Sequence, residues 1–205
     1  MKSYPFLLYT SFMTKIIGLT GPVGAGKSVV ASMFKRRRAY VIDVDKLAHT
    51  LYKPQTEIWG NLVRRFGSDI LVKGGRVSRR KLAKIVFADP ATLVALNHMV
   101  HPALYDLVAE EVKQAKDRGE KIIVINAAVL KKIGLDKLVD EIWAVTAKEA
   151  LRLKRLIKKG VDKSSAKKLM KSQGKVKEFL TGAKVILENN STLASLKNKV
   201  IKITA

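Results

Sequence analysis

The sequence predicts an α/β fold in three layers, a mainly parallel five-stranded sheet with helices on both faces. Three observations predict it. Short apolar, β-branched runs recur along the chain and alternate with segments of helical apolar spacing. The first of these runs passes through a glycine-rich turn directly into an amphipathic segment. A long, mostly helical stretch separates the second run from the third.

Each element can be justified in order. Lys15 to Thr20 (KIIGLT) is largely apolar and suits a buried parallel strand. Gly21 to Ser28 (GPVGAGKS) follows and fits the phosphate-cradling pattern G-x-x-x-x-G-K-[ST]. Ser28 to Phe34 then carries helical spacing and ends in Lys35, Arg36, Arg37 and Arg38, cations suited to the negative end of a helix dipole. Ala39 to Asp43 reads as the second strand, with Asp43 and Asp45 at its carboxyl end, where open α/β sheets bind ligands. From Lys46 to about Gly119 the pattern is mostly helical, interrupted by the turn Lys73 to Arg76 and by Pro90 and Pro102. That stretch is too long for a simple crossover, so part of it is expected to cover a substrate. Glu120 to Asn126 and Glu141 to Thr146 are the third and fourth strands. A helix from Lys148 to about Lys158 turns through GVDKSS into a second one ending near Gln173. Lys184 to Asn189 is a fifth short strand, and Thr192 to Val200 a closing helix.

At 205 residues the chain has room for one main domain. We place it at residues 13–205 and read residues 1–12, which lack a small-residue cleavage site, as an N-terminal extension. No uninterrupted apolar run approaches the ~20 residues of a membrane span. A soluble protein with no membrane partner is expected. The absence of cysteine excludes disulfides and cysteine-based zinc sites or nucleophiles, and agrees with a cytoplasmic location. Forty Lys and Arg against 17 Asp and Glu give a formal charge of +23. Because charged residues total an ordinary 28%, the bias reflects scarce acids and dispersed lysines. Solvated lysine faces are the plainer reading, and no specific nucleic-acid partner is expected. The sequence carries no signal for an oligomeric state.

The glycine loop carries the clearest chemistry. Gly21, Gly24 and Gly26 let the backbone curl so that N–H groups from Val23 to Val29, Ala25 among them, can face phosphate oxygens. Lys27 is placed to reach the β and γ phosphates of ATP, and the Ser28 hydroxyl to bind Mg²⁺. Asp43 and Asp45, two apart in an extended stretch, would point to one side. One carboxylate could then hold magnesium while the other accepts a proton from an incoming hydroxyl. A helix N-cap is the competing role for this pair. Asn126 ends the third strand where many triphosphate hydrolases carry an acid, which disfavours a motor-type ATPase. Arg152, Arg155 and Lys159 share one helical face that could neutralise charge on a transferring phosphoryl group. His49 and His98 are too scattered for a metal site, whereas His101, before Pro102 and at the expected start of a helix, could fix a turn or meet a substrate.

The order of these motifs resembles the dephospho-coenzyme A kinase family. The likeness spans Lys15 to about Val200 and rests on GLTGPVGAGKS, VIDVDKLAH, GRVSRRKLAKIVF, the His101-Pro102 pair, NAAVLKKIGL, RLKRLIKKG with Gln173 beyond it, and ILENN. It implies a P-loop kinase fold with a helical acceptor-binding region at about residues 55–115 and a lid at about 150–180. The implied reaction converts ATP and dephospho-coenzyme A to ADP and coenzyme A by phosphorylating the ribose 3′-hydroxyl. By position, Asp45 is the implied base, Lys27 and Ser28 serve ATP and Mg²⁺, and Arg79 and His101 face the acceptor. Arg155 is the implied lid arginine, with Asn189 near the adenine. Three lysines depart from the pattern: Lys132 replaces an acid, Lys159 a second lid arginine, and Lys184 an aspartate. Another nucleoside or nucleotide kinase of this fold and a nucleic-acid-binding ATPase are the alternative readings.

Overall fold

The computed structural model describes residues 13–86 and 88–204, so the N-terminal extension lies outside the described residues. The chain order is β1 (Lys15–Thr20), α1 (Lys27–Arg36), β2 (Tyr40–Asp43), α2 (Val44–Leu51), α3 (Glu57–Phe66), α4 (Arg79–Val86) and α5 (Pro90–Asp117). Then follow β3 (Ile122–Asn126), α6 (Leu130–Ile133), β4 (Glu141–Thr146), α7 (Glu149–Lys158), α8 (Lys163–Ser172), α9 (Val176–Leu180), β5 (Val185–Glu188) and α10 (Leu193–Thr204). The five strands form one parallel sheet, as the sequence pattern predicts, and their order is β2-β3-β1-β4-β5.

Strand alternation sorts side chains into two cores. Ile16, Ile123, Ile125 and Ile142 point to one face, against apolar residues of α2 through α6. Ile17, Leu19, Val124, Trp143 and Val145 point to the other, against α1 and α10. Phe34 of α1 meets the Trp143 ring edge-on at 5.3 Å between centroids. A smaller cluster of Leu156, Ala166 and Met170 holds α7 to α8.

Two local readings are corrected. The sequence suggests that Pro102 interrupts the helical stretch and that His101 starts a helix, whereas α5 runs through both. Pro90 opens that helix behind an Asp89 N-cap. Pro102 removes one hydrogen bond, a loss of about 3 kcal/mol in a free helix. The buried row Val100, Leu104, Val108 and Val112 brackets it and outweighs that loss. The second correction concerns the acids: Asp43 ends β2 and Asp45 already lies in the first turn of α2, so they do not share an extended strand.

Lys184, one of the departures from the family pattern, has a structural partner. Its ammonium lies 2.8 Å from Glu141 Oε2, and Lys15 Nζ lies 3.0 Å from Oε1. Trp143 Nε1 donates to the same Oε1 at 2.8 Å. Burial alone would raise the Glu141 pKa from 4.5, but the hydrogen bonds from Lys184, Trp143 and Lys15 together hold it at about 2. A carboxylate depressed in the folded state stabilises fully above its unfolded pKa and loses that contribution as pH falls through the folded value. Glu141→Gln is therefore expected to lower Tm by roughly 5–10 °C at pH 7. In denaturant titrations the gap to the parent protein should narrow as pH drops below 4.5. A gap independent of pH would assign the stabilisation to packing instead.

Candidate active site

The loop between β1 and α1 depends on glycine at three close approaches, of which those at Gly21 and Gly26 are the tightest. Gly21 has φ 143°, and a Cβ there would lie 2.1 Å from the Val145 carbonyl oxygen. Gly26, the N-cap of α1, has φ 109°, and its Cβ would lie 2.3 Å from Asn189 Nδ2. No acid occupies the first turn of α1, so its positive end is left for an anion.

The loop is gripped from behind. Arg152 Nε donates to the Val23 carbonyl at 2.9 Å. Arg155 Nη1 donates to the Gly24 and Ala25 carbonyls at 3.2 and 3.3 Å, and its Nη2 to the Asn189 carbonyl at 2.8 Å. Asn189 Nδ2 also donates to Ala25, at 2.8 Å. Arg152 is only 4% exposed, so it belongs to the loop's foundation and not to a solvated face.

In front of the loop is a cavity of about 710 Å³. Val23, Gly24, Gly26, Lys27, Ser28 and Val29 line it, while Gly21 and Ala25 shape it from outside the lining. Arg155, Lys159, Asn189 and Asp45 line it as well, so the structure brings together most of the residues singled out from sequence. Of the N–H groups expected to face phosphate, those of Val23 and Ala25 are both engaged, and that of Val29 donates to the Gly26 carbonyl at 3.0 Å. Val23 N–H donates to Gln173 Oε1 at 2.6 Å, and Ala25 N–H to the Pro22 carbonyl at 3.2 Å. Lys27 folds over the loop, donating to the Gly21 carbonyl at 2.8 Å. Burial lowers its pKa from the ordinary lysine value; Asp45 and Asp43 pull it up, while Arg152 and Lys159 push it down.

The two acids have different surroundings. Asp43 Oδ1 accepts from the Lys46 N–H at 3.2 Å, the N-cap role that competes with metal binding, and Asp43 is absent from the cavity lining. Asp45 lines the loop cavity and also a second one of about 210 Å³. That second cavity holds Arg79, whose Nη1 meets His49 Nε2, together with Tyr52, Asn97 and His101. Burial lowers the His101 pKa, its contact with the Lys132 carbonyl raises it, and the charges of His98 and Lys132 lower it.

A family model described as dephospho-CoA kinase matches residues 15–195. The chain belongs to the dephospho-CoA kinase family. A relative of that name from Syntrophotalea carbinolica is 33% identical over 191 residues, which cover 93% of this chain and 90% of the relative. A crystal structure from Thermus thermophilus superposes with a TM-score of 0.79 at 28% identity, covering 93% of this chain and 96% of that one. A dephospho-CoA kinase from Campylobacter jejuni shares the fold, with a TM-score of 0.69 at 20% identity, covering 94% and 96%. Family membership makes this chain a kinase with ATP as phosphoryl donor.

Sequence reasoning left Gln173 without a site role and read Arg152 as part of a face turned to the phosphoryl group, whereas the structure places both on the loop backbone. Gln173 was visible only as a motif residue beyond the lid helix, because its contact with Val23 spans 150 positions. Gly26→Ala is expected to weaken binding of a non-hydrolysable ATP analogue at least about tenfold, from backbone strain alone. Because the added Cβ meets the Asn189 amide, Asn189→Ala in the same background should recover part of the loss in calorimetric titration. Two simply additive losses would exclude that clash as the cause.

Proposed function

We propose that this chain transfers the γ-phosphoryl group of ATP to the ribose 3′-hydroxyl of dephospho-CoA, with Asp45 as the general base. The observation that carries this reading is the position of Asp45, the carboxylate shared by the loop cavity and the cavity of Arg79 and His101. A hydroxyl entering from the second cavity meets Asp45 on its way to a phosphoryl group held in the first. Phosphoryl transfer needs little covalent help, so aiming that oxygen and removing its proton is the main task left to a side chain.

In this reading the cradle of Gly24, Gly26, Lys27, Ser28 and Val29 holds the triphosphate. The oxygen donor set fits magnesium, which takes one or two protein oxygens beside phosphates and waters. Ser28 would hold the ion, which would offset phosphate charge. Asp43 is the weaker metal ligand, because one of its oxygens already caps α2. Arg155 and Lys159 bring lid charge to the donor cavity, Asn189 borders it where a base could rest, and Arg79 and His101 receive the acceptor. Helices α7 and α8 form most of the lid, and α3 to α5 most of the acceptor region.

A coupled assay of ADP release is expected to show strong stimulation by dephospho-CoA and little by nucleosides, nucleoside monophosphates, DNA or RNA. Stimulation by a nucleic acid without response to dephospho-CoA would overturn this reading. Asp45→Asn should lower kcat by at least roughly 100-fold with the KM for ATP nearly unchanged. Turnover near that of the parent protein would remove Asp45 from the base role.

A further inference from the structure

The cavity beside Asp45 and Arg79, at about 210 Å³, is smaller than the roughly 300–1,000 Å³ typical of sites that enclose a ligand of some size. An acceptor whose hydroxyl reaches Asp45 must therefore continue elsewhere. One direction is the loop cavity, which the phosphoryl donor fills. The other is a groove of about 690 Å³ between the middle of α5 and the segment from α6 to Lys137. It shares Asn97, His101 and Ile133 with the smaller cavity, so the two adjoin across these side chains.

The groove has charged groups of its own. Lys132 and Lys137 line it from one wall, His98 and Asp106 from the other, with Tyr105 and Pro102 between. Asp106 is the single carboxylate in the lining. Neither Lys132 nor Lys137 has an ion-pair partner among the described residues, whereas the adjacent Lys131 is spent, donating to the Thr181 carbonyl at 2.6 Å. Both lysines are exposed, so their ammonium groups can swing to an anion without a burial penalty.

Resting on the acceptor assignment above, we infer that this groove binds the diphosphate-bearing arm of the acceptor, with Lys132 and Lys137 as its phosphate contacts. The groove thus sets specificity: it favours an acceptor that extends from the ribose through a diphosphate over one that ends at the nucleoside. The lysine at position 132, an acid in the family pattern, becomes a binding group in this chain.

The test is a steady-state comparison of Lys132→Glu, Lys137→Glu and the double variant, using dephospho-CoA and adenosine as alternative acceptors. Because both side chains are exposed, the variants should keep the Tm of the parent protein. Each reversal is expected to raise the KM for dephospho-CoA about tenfold or more, as loss of a charge-assisted phosphate contact should. The KM for ATP and the low activity toward adenosine should stay unchanged. An unchanged KM for dephospho-CoA in the double variant, or an equal loss with adenosine, would overturn the inference. A parent protein that does not phosphorylate dephospho-CoA at all would instead overturn the functional reading on which it rests.

Discussion

The hold of Arg152, Arg155 and Asn189 on the carbonyls of the glycine loop is the constraint on which the site depends. A trans peptide is planar, so its C=O and the N–H of the next residue point in opposite directions. Fixing the Val23 carbonyl on Arg152 therefore aims the Gly24 N–H the other way. Fixing the Ala25 carbonyl on Arg155 and Asn189 does the same for the Gly26 N–H, at the mouth of α1. The glycines make this curl sterically accessible, and the outer donors choose it among the many curls that glycine allows. The guanidinium of Arg155 suits the task because its planar fork reaches three carbonyls on two chain segments at once.

Parallel pairing brings the other parts to the same edge. The register sets Asp43 beside Asn126 and Asn126 beside Leu19, so the ends of β2, β3 and β1 align just below the loop. Asn126 Oδ1 is buried there without a protein hydrogen-bond donor. As an amide it adds no negative charge, and the field that offsets the burial of Lys27 comes first from Asp45 and then from Asp43. One carboxylate thus pulls the Lys27 pKa up and also borders the cavity of Arg79 and His101. Its two relations follow from its place in the first turn of α2, two residues beyond the strand end that the sequence suggested.

Strands and the loop were legible because their signals are local: β-branched runs, alternation and the spacing of glycines before Lys27. The sheet, its parallel sense and helices α7 and α8 followed from those signals. What was illegible depended on distant neighbours. Pro102 reads as an interruption, yet the buried row along α5 carries the helix through it. Asp43 and Asp45 read as an extended pair because nothing local fixes where a strand yields to a helix, and only the cap onto Lys46 decides it. Lys184 reads as a lost acid until Glu141, 43 positions earlier and one strand across the sheet, is seen to take its charge. Gln173 has no periodic or motif signature tying it to Val23, and the folding of α8 back over the loop supplies one.

The same distinction separates the two kinds of positive charge in this chain. Arg152 and Arg155 are satisfied by carbonyl oxygens and serve the fold before any ligand arrives. Lys27, Lys158 and Lys159 gather with Arg155 around a cavity whose only lining acid is Asp45. Like charges so arranged repel one another, and the bonds of Arg155 and Gln173 to the loop hold α7 and α8 in place against that repulsion. A triphosphate in the cavity would turn the same cations from mutual obstacles into partners of phosphate oxygen.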